Sequence, residues 1–441
     1  MLVEGELGSA GAGSAGEPYG RSPRKLLVVA FHFPPDNSST GVLRTLKFTQ
    51  YLLDHGWQSE VLSVRESMYE NRDPGLAQQI PPEVKVHRVW ATDAKRVFGF
   101  RGRYPAFVEV PDRYWPWFFT ARRAGRKLLA GGGFDALYST SPHPTAHLIG
   151  LSLKRGSGLP WVIDFRDSWV DDLLGPVRRK VEGWLERRVV SAADAVVLNT
   201  PAMQRFYARN YADLPPSKFH LITNGYDESD FAGIELGRPS RFDVVYAGAI
   251  NDQNRNPEPL LQALADIVRR GLVPLGDVQL TFLGCGAHGS SSAFARLLER
   301  YGLREATTIV PQRVPYREAL RRQAAASLVV VLVDYLGGSR DWTVMQVPAK
   351  LYEYARLGNR TLVLAGGEAV SEFLVGVGWP APIRATDTER VGQALCEAYR
   401  EQRSELARTG GVAPAAIARY ERRALTATLA RILDGVQAPA R

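Results

Sequence analysis

Strand-length apolar runs recur along almost the whole chain, each closed by a Gly-, Pro-, Ser- or Asn-containing loop and most of them followed by a helical pattern. That alternation builds βαβ units and a parallel sheet, because joining two parallel strands takes a crossover and a helix is the usual one. The first unit runs from Lys25–Phe31 through a helix carrying Leu43, Leu46 and Leu53 to a strand at 59–64. Asn37, Ser38, Ser39 and Thr40 offer N-caps for that helix, and His55-Gly56 ends it. Strands are expected at 134–140, 160–165, 195–199 and 219–223, with helices at about 146–154, 177–190 and 201–211 between them. Asn224-Gly225 and the polar Gly/Pro stretch from Gly233 to Ser240 then break the series. A second series follows, with strands at 242–247, 278–283, 307–310, 328–333 and 361–365 and helices at 257–270, 316–325 and 389–405. A terminal helix is expected over about 413–433.

At 441 residues the chain exceeds one ordinary core. The expectation is an α/β protein with two Rossmann-like βα domains, at 25–232 and 242–405, a linker at 233–241 and a helical segment at 406–441. Residues 1–24 are Gly/Ser/Ala-rich without an apolar h-region, so a disordered tail is expected there and not a signal peptide. No apolar run approaches a membrane span, and the two cysteines, Cys285 and Cys396, give neither a disulfide framework nor metal-ligand spacing. A reducing, cytoplasmic setting is expected. The formal charge of +9 invites an anionic partner, and no nucleic-acid motif is present.

The residues that carry chemistry gather at the ends of these runs. Val347–Gly367 reads as a short helix after Pro348, stopped by Gly358, then a buried strand and a Gly-Gly turn. Lys350 and Glu353 share one face near that helix's N-terminus. Free N–H groups and a lysine attract a phosphate, and a carboxylate one turn on accepts hydrogen bonds from a vicinal diol, the pairing a nucleotide ribose presents. The alternative for Glu353 is a first-turn carboxylate contributing about 0.3–1 kcal/mol to the helix. Arg166 and Asp167 end a buried strand, where they face the cleft of such a sheet or pair with each other. His143, between prolines, is a site residue or a rigid loop residue, and Arg44 faces an anion or solvent. Gly284-Cys285-Gly286-Ala287-His288-Gly289 matches a dinucleotide fingerprint, but no convincing acidic residue ends a following strand, and a loop beside a mononucleotide explains it as well. Residues 96–129 interleave Phe98, Phe100, Tyr104, Phe107, Trp115 and Phe119 with Arg96, Arg101, Arg103 and Arg113, and then place Arg122, Arg123, Arg126 and Lys127 on one helical face. This suits a membrane interface or an anionic lipid carrier; the alternative is a solvated basic face with the aromatics packed inward.

Several short motifs fall in a familiar order. Phe33-Pro34-Pro35 with Gly41, Pro111-Asp112 through Trp117, Ser139–Pro142, the Asp-Phe-Arg-Asp-x-Trp of 164–169, Asn224-Gly225-Tyr226-Asp227, Tyr246-Ala247-Gly248 and Lys350-Leu351-Tyr352-Glu353-Tyr354 together resemble the retaining GT-B glycosyltransferases of family 4, in a bacterial glycan-assembly branch. The resemblance implies two domains facing a cleft and a C-terminal helix that crosses back to the first domain. It implies a nucleotide-diphosphate sugar on the second domain, with Glu353 on the ribose and Lys350 near the diphosphate. Gly248, Gly284 and Gly286 would line the donor, with Arg255 or Arg313 as a second cation. A hydroxyl acceptor, lipid-linked in one version, would enter near His143, Arg166 and Asp167, beside the loop of Gly41 and Arg44. Cations and helix dipoles would hold the leaving diphosphate, so neither a metal nor another cofactor is expected. Two departures stand out: Met345 occupies the position of the family's first glutamate, and Arg166-Asp167 replaces a common His-Asp. Two other functions fit the same frame, a nucleotide-sugar epimerase and a non-catalytic paralogue that binds a nucleotide-sugar or a partner.

Overall fold

The computed structural model describes residues 23–38, 41–99, 104–170, 175–252, 255–333, 344–404 and 412–436. The expected tail, the caps Ser39 and Thr40, and Phe100, Arg101 and Arg103 lie outside the described residues, as does the side chain of Phe107.

The apolar runs form two parallel sheets. The first has the order β3-β2-β1-β4-β5-β6-β7, built from Arg24–Ala30 (β1), Trp57–Val64 (β2), Lys85–Val89 (β3), Ala136–Thr140 (β4), Trp161–Phe165 (β5), Ala195–Leu198 (β6) and Phe219–Leu221 (β7). The second has the order β10-β9-β8-β11-β12, from Phe242–Ala247 (β8), Val278–Leu283 (β9), Thr307–Val310 (β10), Leu328–Val333 (β11) and Thr361–Ala365 (β12). Helices cover both faces of each sheet, so central strands such as β1 and β11 are apolar nearly throughout. Strand order reverses between β1 and β4 and between β8 and β11, and open α/β sheets hold ligands in the crevice beyond such strand ends. Both domains are therefore of the Rossmann-like type expected.

Among the elements the sequence patterns missed are an edge strand and two helices. The edge strand β3, Lys-Val-His-Arg-Val, has no apolar run because it is buried on neither face. Helices Ser292–Arg300 and Glu368–Gly376 are short and sit between elements that were recognised. The terminal helix is not continuous. A short turn at Pro414–Ile417 precedes a helix at Arg422–Gly435, whose N-cap carboxylate, Glu421, accepts from the amides of Arg423 and Ala424. This last helix packs on the first domain, laying Leu425, Leu429 and Leu433 against a core that contains Leu46 and Leu52. Asp434 accepts from Trp57 Nε1 at 2.9 Å and pairs with Arg24 at 2.7 Å. Asn224-Gly225 is correspondingly more than a turn: a Cβ on Gly225 would lie 2.0 Å from the Tyr420 carbonyl, so glycine is what lets the returning chain dock.

Arg44 meets neither expectation, anion nor solvent. It is buried, with Nε and Nη2 on the two carboxylate oxygens of Asp164 (3.0 and 2.8 Å) and further bonds to the carbonyls of Thr223 and Ile222. Tyr138 and Thr140 also donate to Asp164. Burial alone would raise the Asp164 pKa, but Arg44 and these donors outweigh it and hold the carboxylate below its ordinary range.

Helix Pro176–Ala192 turns Glu186 into the core, where Tyr211 donates to Oε1 at 2.6 Å and, among the described residues, Oε2 has no partner. Burial pushes its pKa up to about 7, against the pull of the Tyr211 hydrogen bond. The folded state thus holds the proton more tightly than the unfolded chain. The resulting stabilisation is present below the ordinary carboxylate pKa and is lost as pH rises through about 7. Glu186→Gln removes the titration, so its melting temperature should match wild type near pH 4 and exceed it at pH 8, by the equivalent of about 3 kcal/mol. A constant difference across that range would contradict the assignment.

Candidate active site

Two adjoining cavities open between the carboxyl ends of the two sheets, and Gly248, Ala249, Arg313 and Lys350 line both. The first, about 830 Å³ of open space, has apolar walls from Leu43, Leu283, Val314 and Leu320, with Glu353 and Tyr316 as its polar groups on one side. The second, about 1540 Å³, brings Arg166, Asp167 and Asn199 of the first domain opposite Arg255, Gln346 and Lys350 of the second.

The helix behind both is Ala349–Leu357. Pro348 occupies its N-cap position without a capping side chain, so among the described residues the amides of Ala349 and Lys350, at the wall of the second cavity, have no partner, and Gly358 ends the helix at φ 72°. Its 3.6-residue period puts Lys350 and Glu353 on one face. Glu353 is buried, accepts a 2.8 Å hydrogen bond from Tyr316 at Oε1, and accepts none from the described residues at Oε2. Burial raises its pKa, opposed by Tyr316 and Lys350. Lys350 is half-buried and, among the described residues, has no hydrogen-bond or ion-pair partner at Nζ. Burial lowers its pKa, Glu353 works the other way, and Arg255 and Arg313 lower it further. Gly248, at φ 149°, lies so close that a Cβ there would be 2.6 Å from Nζ. An ammonium among further cations and at a helix N-terminus is an arrangement that attracts anions.

Arg313 lies in the same rim but is engaged: it donates to the carbonyls of Asn37 (2.6 Å) and Ser38 (2.5 Å), fastening the second domain to the first across the cleft. Arg255 has no side-chain partner among the described residues and lines the second cavity. Gly284, at φ 63°, lines the first cavity, but Gly286 lines neither: its amide is tied to the Pro311 carbonyl and it starts a single helical turn, Gly286–Gly289. The dinucleotide fingerprint therefore opens no long helix.

On the first domain, Asp167 and Arg166 do not pair. Asp167 reaches solvent deep in the cleft, where burial by surrounding atoms raises its pKa, and it accepts from Gln346 Nε2 at 2.6 Å. Gly41 begins helix Gly41–Tyr51 directly on the Arg166 guanidinium. His143 sits behind Pro142 and lines neither cavity. Its Nε2 is 3.0 Å from His32 Nε2, and His32 Nδ1 is 2.5 Å from Asp36. Burial first, then His32 and Arg166, lower the His143 pKa well below the usual range, so it is neutral near pH 7. His32 and Asp36 were not singled out in the sequence; their only signal is an i, i+4 spacing across Phe33-Pro34-Pro35. Met345 is packed in the core, its carbonyl accepting from Thr200, while its neighbour Gln346 is the residue that enters the cleft. Among the described residues no three His, Cys, Asp or Glu side chains are grouped to hold a metal ion.

Comparison with known proteins agrees with this architecture. Residues 41–225 match the family model described as a glycosyl transferase 4-like domain. A curated relative, the alpha-maltose-1-phosphate synthase of Mycolicibacterium smegmatis, is 34% identical over 88 residues, which cover 17% of this chain and only 22% of that protein. Among solved structures, sucrose-phosphate synthase from Thermosynechococcus elongatus superposes with a TM-score of 0.61 at 13% identity, over 94% of this chain and 99% of its own. Trehalose 6-phosphate synthase from Burkholderia multivorans gives 0.61 at 10% identity, over 96% and 100%. HepE from Anabaena, solved with UDP, gives 0.59 at 15% identity, over 93% and 100%.

Proposed function

We propose that this chain, a GT-B protein whose first domain is glycosyl transferase 4-like, transfers a sugar from a nucleotide-diphosphate sugar to a hydroxyl acceptor. The observation that carries this is the unpartnered Lys350 ammonium at the free N-terminus of the Ala349–Leu357 helix, one turn from the Glu353 carboxylate in the adjoining cavity. The nucleoside fills the first cavity, its ribose hydroxyls donating to Glu353, and the diphosphate lies at Lys350 and the helix N-terminus. The sugar then projects into the second cavity, where Asp167, Arg166 and Gln346 meet the acceptor. HepE, solved with UDP and with UDP-glucose, supports the ligand class. The reaction proceeds with retention by front-face attack: positioning and charge stabilisation of the departing diphosphate supply the rate, without a metal or other cofactor. The setting is assembly of a polysaccharide, glycolipid or natural product.

Turnover is the test. Incubation with a set of nucleotide-sugars and hydroxyl acceptors should release the nucleoside diphosphate and form a glycoside with the donor's anomeric configuration. An epimerised nucleotide-sugar would replace this reading by the epimerase. Binding without turnover would replace it by the non-catalytic paralogue.

The acceptor side includes a membrane-facing candidate. No helix of the described residues is long and apolar enough to cross a membrane. In the 96–129 region Trp117 is buried, but Phe98 and Phe119 are exposed and gather on Trp115, beside the Arg122–Lys127 cations. We place this face on an anionic leaflet, at the cytoplasmic side, presenting a lipid-linked acceptor. Phe98→Ser with Phe119→Ser should release the protein from vesicles containing phosphatidylglycerol; unchanged co-sedimentation would refute the contact.

A further inference from the structure

Arg166 is a buried cation; Asp164 and Asp167 favour its charged form through space, but burial outweighs them. Only 8% of its surface is exposed, and among the described residues its Nε has no hydrogen-bond partner and its guanidinium no ion-pair partner. The carboxylates nearest in sequence are engaged elsewhere: Asp164 is held through both oxygens by Arg44, and Asp167 is taken by Gln346. Nη1 lies 1.3 Å from where a Cβ on Gly41 would stand, so the guanidinium rests on the first residue of an 11-residue helix. A helix N-terminus and a guanidinium are both positive, and burying one against the other is unfavourable unless an anion joins them. Both open into the second cavity.

The diphosphate does not need this cation, since Lys350, the Ala349–Leu357 helix and Arg255 already face it from the second domain. Asn199 adds a second clue beside Arg166. Its Nδ2 donates to the Arg166 carbonyl at 2.5 Å, which leaves a buried Oδ1 without a partner at the same cavity wall. A bare cation next to a bare acceptor matches an anionic group carried by a polyhydroxylated ring.

We infer that Arg166, the Gly41 helix end and Asn199 form a site for a carboxylate or phosphomonoester on one of the two sugars that meet in the second cavity, either the transferred sugar or the acceptor. The inference rests on the nucleotide-sugar reading above, and its test keeps the two apart. Arg166→Gln and Arg166→Lys are compared with wild type in three measurements. The first is affinity for nucleoside diphosphates, which Arg166→Gln should leave within about two-fold. The second is kcat/KM for charged and neutral pairs: nucleotide-glucuronate against nucleotide-glucose as donors, and glucuronate or glucose 6-phosphate against glucose as acceptors. Wild type should favour the anionic member of one pair by ten-fold or more, Arg166→Gln should bring that ratio near one, and Arg166→Lys should restore part of it. The pair that responds identifies which sugar carries the charge. The third is thermal melting without ligand, where Arg166→Gln should melt at or above wild type because it removes an unpaired buried charge.

Four results would overturn the inference. They are no anionic preference in any pair, a preference that survives Arg166→Gln, a loss of nucleoside diphosphate affinity in that variant, and a marked fall in its melting temperature. The third would assign Arg166 to the diphosphate and the fourth to the fold. Failure of wild type to bind any nucleoside diphosphate would instead remove the reading on which the inference stands.

Discussion

Lys350→Met should lower turnover by about 10²–10³-fold, the cost of removing one preorganised charge from a developing anion. Among the described residues its ammonium has no hydrogen-bond or ion-pair partner, so its attraction is open to what enters the cleft. Burial, then Arg255 and Arg313, depress its pKa while Glu353 works against them. An arriving diphosphate reverses that balance and favours the charged form. The loss should appear mainly in kcat, because negative charge on the leaving group is greatest as the glycosidic bond breaks. Lys350→Arg should rescue poorly. Gly248 approaches Nζ too closely for a planar guanidinium, and for the same reason Gly248→Ala should mimic a lesion at Lys350 without altering its charge. Unchanged turnover in Lys350→Met would mean that the anion lies elsewhere.

The second large effect falls on stability. Arg44→Met or Asp164→Leu alone should cost about 3–5 kcal/mol, because each leaves a buried charge without its counter-ion. Four donor groups converge on this site: Arg44 through Nε and Nη2, Tyr138 and Thr140 all reach Asp164. Arg44 also ties Ile222 and Thr223, so the bridge joins the first helix, β5 and the chain leaving β7. Combining Arg44→Met with Asp164→Leu should cost well under the sum of the single changes, since an apolar pair leaves no charge stranded. Urea unfolding of the four proteins measures this. Strict additivity would show that the two side chains act independently.

Most of the fold was legible because parallel strands covered on both faces must be apolar throughout, and such runs are conspicuous in sequence. The edge strand β3 lacks that signature. Local patterns also say nothing about what the far end of the chain will cover, so Asn224-Gly225 read as a turn although Tyr420 docks on it. At the site, Lys350 and Glu353 were legible because they are three residues apart on one helix. Arg44 was not, since its partner Asp164 is 120 residues away. Arg166 and Asp167 read either as cleft-facing residues or as a pair with each other; the strand end turns them apart and both line the second cavity, one beneath Gly41 and the other bonded to Gln346 across the cleft. His32 and Asp36 stand behind His143 through contacts that only the sheet creates. Met345 shows the converse limit: matching motifs by position pointed to a lost polar residue, whereas the backbone brings Gln346 to the cleft instead.

The most direct test of the nucleotide site is a thermal-shift series with UDP, GDP, ADP, dTDP and NAD on wild type and Glu353→Ala. A ligand that binds only the folded state raises the melting temperature by mass action. A nucleoside diphosphate should raise the melting temperature of wild type, and that shift should be lost or strongly reduced in Glu353→Ala, the two proteins melting together without ligand or nearly so. A shift confined to NAD, or an equal nucleoside diphosphate shift in both proteins, would contradict it.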